Sequence, residues 1–274
     1  MMDLHTIESI EIPRTRADLT GLTTTDGLMS GGTWLMSEPQ LHLRRLIDLR
    51  GLDWPDLTVT DSGLEIAATC TIETLMSAHY PPEWVATPVF AAAAAALVAS
   101  FKIWKNASVG GNICLGFPAG AMISMTSALD ARLLVWKSDG TDRHYSIPEF
   151  VIAQNETILE PGDVLRSITI PASALAQPTA LRKMAMSPLG RSGVVVVGRR
   201  RPTGALISVT AATQVPYVIA TDSMEPDMVA ALVDSAIPPQ AYYSDAHGTA
   251  DWRHHVTGVL TRDVVVGLAG SPKD

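Results

Sequence analysis

Cysteine is nearly absent from the chain. Cys70 and Cys114 are the only two in 274 residues, and no C-x-x-C spacing joins them. Two such cysteines hold neither an iron–sulphur cluster nor a structural zinc unaided, and they give no disulfide framework. Aromatic residues make up 5% and charged residues 18%, against 47% apolar residues. That balance is more apolar and less charged than the globular average, and it predicts a surface covered largely by other chains. Long apolar runs are missing too. The longest near-uncharged helical stretch, Val89 to Phe101, is too short to cross a bilayer, so no transmembrane segment is expected. Positive charge is scarce: 20 Lys and Arg stand against 28 Asp and Glu, a net charge of −8, which argues against nucleic acid as a partner. The opening segment MMDLHTIESIEIP is mixed and acidic rather than basic and then apolar, so a cytoplasmic location is expected. Neither H-E-x-x-H nor G-x-S-x-G occurs. In the tail, His247, His254 and His255 read as surface or packing histidines rather than metal ligands, and Asp245, Asp251 and Arg253 either pair with each other or form a solvated helix end. No protein-borne catalytic group emerges, which suits a carrier of a cofactor that does its own redox chemistry.

What the chain does have is glycine in two similar places. Lys102 to Ala121 reads KIWKNASVGGNICLGFPAGA, with Gly110, Gly111, Gly116 and Gly120 between two apolar runs. A glycine pair allows positive φ and close approach of backbone to a ligand. Successive free N–H groups there form a concavity for anionic oxygens, and Ser108 and Asn112 can add side-chain hydrogen bonds. Leu28 to Met36, LMSGGTWLM, repeats the arrangement of a small polar residue, Gly-Gly and a hydroxyl residue. Two such loops could close on the two phosphates of one dinucleotide. Neither stretch is G-x-G-x-x-G or G-x-x-x-x-G-K-[ST], so neither a Rossmann unit nor a P-loop is supported.

The rest of the pattern is mixed helix and strand. Alternation predicts strands at Ile7–Ile12, Leu28–Met29 and Leu46–Leu49, and a hairpin of Leu57–Val59 with Leu64–Ala68. Thr71 is a candidate N-cap for a helix from Ile72, and Pro88 suits the first turn of the next helix. A helix over Met122–Leu129 precedes strands at Arg132–Lys137, His144–Ile147 and Val164–Ile170. Ala172–Pro178 reads as a linker and domain boundary. Beyond it, strands at Val194–Val197, Leu206–Ala211 and Tyr217–Thr221 with helices at Pro226–Ala236 and Trp252–Gly267 predict a three-stranded sheet backed by helices.

Five segments together resemble one known family. They are SGGTWL at Ser30–Leu35, LIDL at Leu46–Leu49, KNASVGGNIC at Lys105–Cys114, LEPGDVLRSITIP at Leu159–Pro171 and DAHGTADWRHHVTGVLTRDVV at Asp245–Val265. In this order they resemble the FAD-binding medium subunit of the xanthine dehydrogenase and carbon monoxide dehydrogenase family, the molybdenum hydroxylases. The resemblance implies an α+β fold: a two-part FAD-binding domain of the vanillyl-alcohol-oxidase-like type over residues 1–173, then a small α+β C-terminal domain over 179–270. It implies FAD bound by Ser30, Gly31, Gly32, Thr33 and Trp34 in the first loop and by Ser108, Val109, Gly110, Gly111 and Asn112 in the second. It adds Leu165 near the flavin and Lys183 after the linker. No residue is assigned a metal.

The partners implied are a large molybdopterin-binding subunit and a small subunit with two [2Fe-2S] clusters, in a dimer of heterotrimers. Electrons would reach FAD through those clusters and leave to an external acceptor. The chain departs from the family in two places. Ala121 stands where the family has an acid linked to the flavin's hydroxylated side chain. Trp34 replaces a common Asp or His, and either packs on a ring of the cofactor or fills the core. Two other readings stay open: a stand-alone flavin oxidase of the vanillyl-alcohol oxidase type, and an assembly subunit that has lost FAD.

Overall fold

A computed structural model describes residues 4–270. Three short parallel strands come first: Ser9–Glu11 (β1), Asp26–Met29 (β2) and Arg45–Asp48 (β3), in the order β1-β3-β2. Each matches an expected strand within a few residues. Between β1 and β2 the chain makes one 3-10 turn, Arg16–Leu19. Leu46 and Ile47 of β3 are buried in separate clusters on opposite faces of this sheet, and Arg45 reaches sideways to Asp26 at 2.7 Å.

A five-stranded antiparallel sheet follows. Its strands are Leu57–Thr60 (β4), Gly63–Ala67 (β5), Arg132–Trp136 (β6), Asp142–Ser146 (β7) and, after a small hairpin of Val151–Ala153 (β8) and Glu156–Thr157 (β9), Val164–Pro171 (β10). The order is β4-β5-β10-β6-β7. The helices between β5 and β6 are Ile72–Ser77 (α1), Pro88–Ala96 (α2), Phe101–Trp104 (α3), Val109–Cys114 (α4) and Ala121–Ala128 (α5). Thr71 caps α1 by accepting from the Thr74 N–H at 3.0 Å, and Pro88 opens α2, as the sequence indicates. A short turn of helix, Ile147–Phe150 (α6), links β7 to β8. Every residue of α5 is buried, which explains why it is apolar and small all round rather than amphipathic.

The presumed linker is in fact packed. Ala172–Leu175 forms a helical turn (α7), with Ala174 and Leu175 fully buried and the Leu175 carbonyl accepting from the Ala86 N–H at 2.9 Å. Alanine, serine and proline are loop-like in composition, but here two apolar residues lock the crossing.

The three strands expected beyond it are present as Val194–Arg200 (β12), Ala205–Thr210 (β13) and Tyr217–Thr221 (β14). A fourth, Thr179–Met184 (β11), extends the sheet to the order β11-β12-β13-β14. Its sequence TALRKM carries two cations and lies half-exposed along an edge, so its alternation is weak. Pro226–Ala236 (α8) and Ala250–Ala269 (α9) cover one face, over Val194, Val196 and Ile207. The other face, with Val195, Val197 and Ala211, joins the core formed by α2, α5 and the five-stranded sheet. No described helix is long and apolar enough to cross a membrane.

Candidate dinucleotide cleft

The two glycine motifs meet. β2 delivers Ser30–Trp34 and a long connection delivers Ser108–Asn112, and together they line a cleft of about 350 Å³ with Gln40, Ala107, Cys114 and Leu115. Both are tied to one short segment after β5. The Ser30 hydroxyl points to the Thr69 carbonyl at 3.4 Å. Gly110 N–H donates to the Ala68 carbonyl at 3.0 Å, Val109 N–H to Cys70 at 2.8 Å, and Ile72 N–H to Ala107 at 2.9 Å. Ala68 is held in turn by the Arg166 carbonyl at 3.0 Å, where β10 bulges between Leu165 and Ser167.

The two motifs are not equivalent, and this corrects the picture of two similar glycine loops. Ser108–Asn112 is the start of α4. Ser108 is its N-cap, accepting from Gly111 N–H at 3.1 Å, and Asn112 N–H donates to the Ser108 carbonyl at 3.0 Å. Every N–H from Val109 to Asn112 is therefore used inside the protein. Val109 and Gly110 are buried against the core, so from this motif Ser108, Gly111 and Asn112 form the wall. The glycines here serve close packing: a Cβ on Gly110 would stand 2.5 Å from the Ala68 Cβ. The first motif is the open one. Gly32 has φ +66°, the conformation glycine favours. None of the N–H groups of Gly31, Gly32, Thr33 and Trp34 is taken by a backbone hydrogen bond. Four consecutive free donors, with no carboxylate in the lining, make the concavity that suits a diphosphate.

Asn112 links this cleft to the next helix. Its Oδ1 accepts from the Met122 N–H at 2.9 Å, capping α5. Because a backbone N–H must be the donor, the amide orientation is fixed, and Nδ2 is left without a protein partner. Ala121, where the family acid is missing, is itself 2% exposed and belongs to the core rather than the lining.

A second cavity of about 290 Å³ continues from the first through Thr33, Trp34, Asn112 and Leu115. Its further walls include Leu97, Phe117, Ala119, Arg191 and Ser192. Trp34 is 42% exposed, so it does not fill the core. Its ring meets Phe117 edge-on, with centroids 4.7 Å apart and planes at 76°. The apolar, aromatic lining suits a planar ring. The donor set, the glycine walls and the aromatic extension thus fit a flavin dinucleotide.

Cys114 faces the cleft, but burial pushes its thiol up to about 12, so it stays a neutral packing group. Leu165 and Lys183 do not line either cavity. Leu165 is 3% exposed in β10 opposite Val135. Lys183 lies in β11 opposite Val195 and makes no ion pair among the described residues. Sequence reasoning missed Arg191, Phe117 and Leu97. Arg191 comes from beyond the linker, and no local pattern connects it to the glycine motifs.

In the tail, the pairing open to Asp245 and Arg253 is formed, and the solvated helix end is not. Arg253 is fully buried and paired with Asp245 at 2.5 Å. His254 pairs with Asp234 on the surface. A separate cavity of about 370 Å³ lies by Arg16, Trp136 and Lys137. Its cations are already neutralised, Arg16 by Asp142 at 2.8 Å and Lys137 by Asp163 at 2.5 Å.

Comparison with known proteins agrees with this geometry. The chain shares its fold with reconstituted CO dehydrogenase from Oligotropha carboxidovorans, at 22% identity and TM-score 0.81 over 94% of this chain and 96% of that one. Quinoline 2-oxidoreductase from Pseudomonas putida 86 matches at 19% and 0.78, covering 95% and 96%. The carbon monoxide dehydrogenase of Hydrogenophaga pseudoflava that lacks the Mo-pyranopterin moiety matches at 20% and 0.78, covering 96% and 97%. No curated protein sequence matches. Residues 8–173 match the family described as the FAD binding domain in molybdopterin dehydrogenase, and the chain belongs to that family.

Proposed function

We propose that this chain is the FAD-carrying electron-transfer subunit of a molybdopterin-dependent hydroxylase complex of the xanthine, aldehyde or CO dehydrogenase type. One observation carries the reading. The free N–H groups of Gly31–Trp34 lie across a charge-free cleft from Ser108, Gly111 and Asn112, and an aromatic cavity continues from it. The N–H groups would hold the diphosphate, with Ser108 and Asn112 on the facing wall of the cleft. Trp34 and Phe117 would line the site of a ring and keep water from it. When bound, FAD supplies the redox chemistry. The division into an FAD-binding unit over 1–173 and a C-terminal unit over 179–270 follows the same reading.

Partner chains are supported by what this chain does not gather. Among the described residues no group of three or more His, Cys, Asp or Glu side chains is placed to hold a metal. Cys70 and Cys114 are both uncharged thiols raised by burial. The electron donor is therefore assigned to a small [2Fe-2S] subunit and the substrate site to a large molybdopterin subunit. Closed two-fold symmetry, the common arrangement, would give a cytoplasmic dimer of heterotrimers.

The test is co-expression with the large and small partner chains. The complex is expected to contain one non-covalent FAD per copy of this chain, released on denaturation, and to reduce it when substrate is added. Purified alone, this chain should bind FAD without turnover. A monomer that oxidises a substrate unaided would overturn the reading in favour of a stand-alone oxidase, and a complex whose copy of this chain takes up no flavin would make it an assembly subunit.

A further inference from the structure

The linings of the two cavities contain no Asp, Glu, Lys or His, and one permanent charge, Arg191. Arg191 makes no ion pair among the described residues. Its guanidinium carbon lies 5.7 Å from the Phe117 ring centroid. The backbone that carries it is firmly held. Ser192 Oγ donates to the Ala96 carbonyl at 3.2 Å, Gly193 N–H donates to Met184 at 2.9 Å, and the Gly193 carbonyl accepts from the buried Arg253 at 2.9 Å. An unpaired, solvent-exposed cation thus stands on the wall of the aromatic cavity, on a backbone anchored at Ser192 and Gly193.

Charge assigns the ring. The diphosphate is served by the N–H groups, so the guanidinium answers a different negative charge. Adenine remains neutral throughout. The flavin ring does not: two electrons and one proton, placed on N5, leave a negative charge spread over N1 and the C2 carbonyl. A guanidinium is charged at any working pH, is planar, and offers paired donors to such an edge. We propose that the flavin ring occupies the Trp34–Phe117 cavity and that Arg191 is the counter-charge for its reduced state. This rests on the FAD reading above. Arg191 would then set the reduction potential of the cofactor rather than its retention.

The experiment uses the FAD-loaded chain in two measurements that need no turnover. The first is an anaerobic dithionite titration against a reference dye. Arg191→Gln should shift the reduced-to-oxidised ratio at least tenfold toward oxidised, about 30 mV for a two-electron couple. Arg191→Lys should recover part of it. The second is titration with sulfite, which bonds through sulphur to N5 and leaves its electron pair on N1 and C2 without any reductant. Arg191→Gln should weaken that adduct about tenfold, with FAD content unchanged. An unchanged midpoint and sulfite affinity in a flavin-loaded variant overturn the proposal and leave the FAD reading standing. So does a variant whose only defect is weaker binding of ADP, which would place Arg191 on the phosphate side. A wild-type chain that takes up no FAD overturns both.

Discussion

Gly31 lies so close to the Asn106 carbonyl that a Cβ on Gly31 would stand 1.6 Å from that oxygen. The first glycine loop and the segment leading to α4 are therefore docked backbone to backbone, which only glycine permits. The cleft is a joint between two loops as much as a cavity between them.

Two glycine substitutions separate docking from binding. Gly31→Ala must push the loops apart, and should cost about 1–3 kcal/mol together with FAD retention. Gly111 differs, because a Cβ there meets only the Ser108 Oγ, at 2.8 Å. Gly111→Val should disturb the N-cap, at about 1 kcal/mol, yet abolish FAD retention by filling the cleft wall. Flavin content and urea unfolding of both variants check this. Wild-type flavin in Gly111→Val would remove the assigned wall.

Asn112 is expected to act twice. Asn112→Ala removes the acceptor for the Met122 N–H and the free Nδ2 of a side chain that lines both cavities. Stability should fall by about 1 kcal/mol, the usual cost of a lost cap. FAD affinity should fall in addition, about tenfold, because Asn112 and Thr33 are the polar side chains, besides the Trp34 indole, shared by the linings of the two cavities. Isothermal titration of flavin-free protein measures the second effect apart from the first. Full affinity in a destabilised variant would leave Asn112 a cap alone.

Much of the fold was legible because local rules carry it. Thr71 and Pro88 start their helices where capping chemistry places them, and β4 to β6 follow their alternation. β11 was not legible, because Arg182 and Lys183 sit on an exposed edge where alternation is not enforced. In the cleft, Ser30–Trp34 and Ser108–Asn112 could be found from composition, but their different roles could not. Hydrogen bonding decides that, through the distant partners Ala68 and Cys70. Arg191 depends on how β11 and β12 return to the first unit, which no spacing in the sequence encodes.

Acid should loosen the first loop before the rest of its sheet. The Arg45 guanidinium holds the Asp26 carboxyl down at about 2, with Thr23 adding to it against the opposing effect of burial. A depressed carboxyl stabilises the fold above its unfolded value and loses that contribution as pH falls through the folded one. The window is therefore from about pH 4 down to about pH 2, and the term is at most about 2 kcal/mol. β2 leads directly into Ser30–Trp34, so flavin release should accompany the loss. Asp26→Asn should be less stable at pH 6 and should show a flatter decline between pH 4 and pH 2. Parallel declines in the two proteins would exclude the pair as the acid-sensitive element.

Arg253 is the charge whose removal should matter most to the fold. It has no exposed surface. Its Nη1 serves the carbonyls of Gly193, at 2.9 Å, and Ala211; its Nε serves Gly248 at 3.3 Å; its Nη2 pairs with Asp245 at 2.5 Å. It also lies 4.1 Å from the Tyr243 ring centroid. Two of those carbonyls lead straight to the cleft. Gly193 follows Arg191 and Ser192, and the Ala211 N–H donates to the Pro118 carbonyl at 2.7 Å, next to Phe117. Arg253→Met strands three buried acceptors and leaves Asp245 without its partner, which should cost about 3–5 kcal/mol. Arg253→Lys should recover little, because one ammonium cannot reproduce a planar fork with donors on opposite sides. Asp245→Asn should cost far less, since Asp245 keeps 28% of its side chain in water and Arg253 retains its carbonyls. Urea unfolding gives the ranking, and proteolysis of the 185–193 loop reports loosening of the cavity wall. An Arg253→Met protein within 1 kcal/mol of wild type, with that loop still protected, would show that the second sheet is held to the cleft by its apolar face alone.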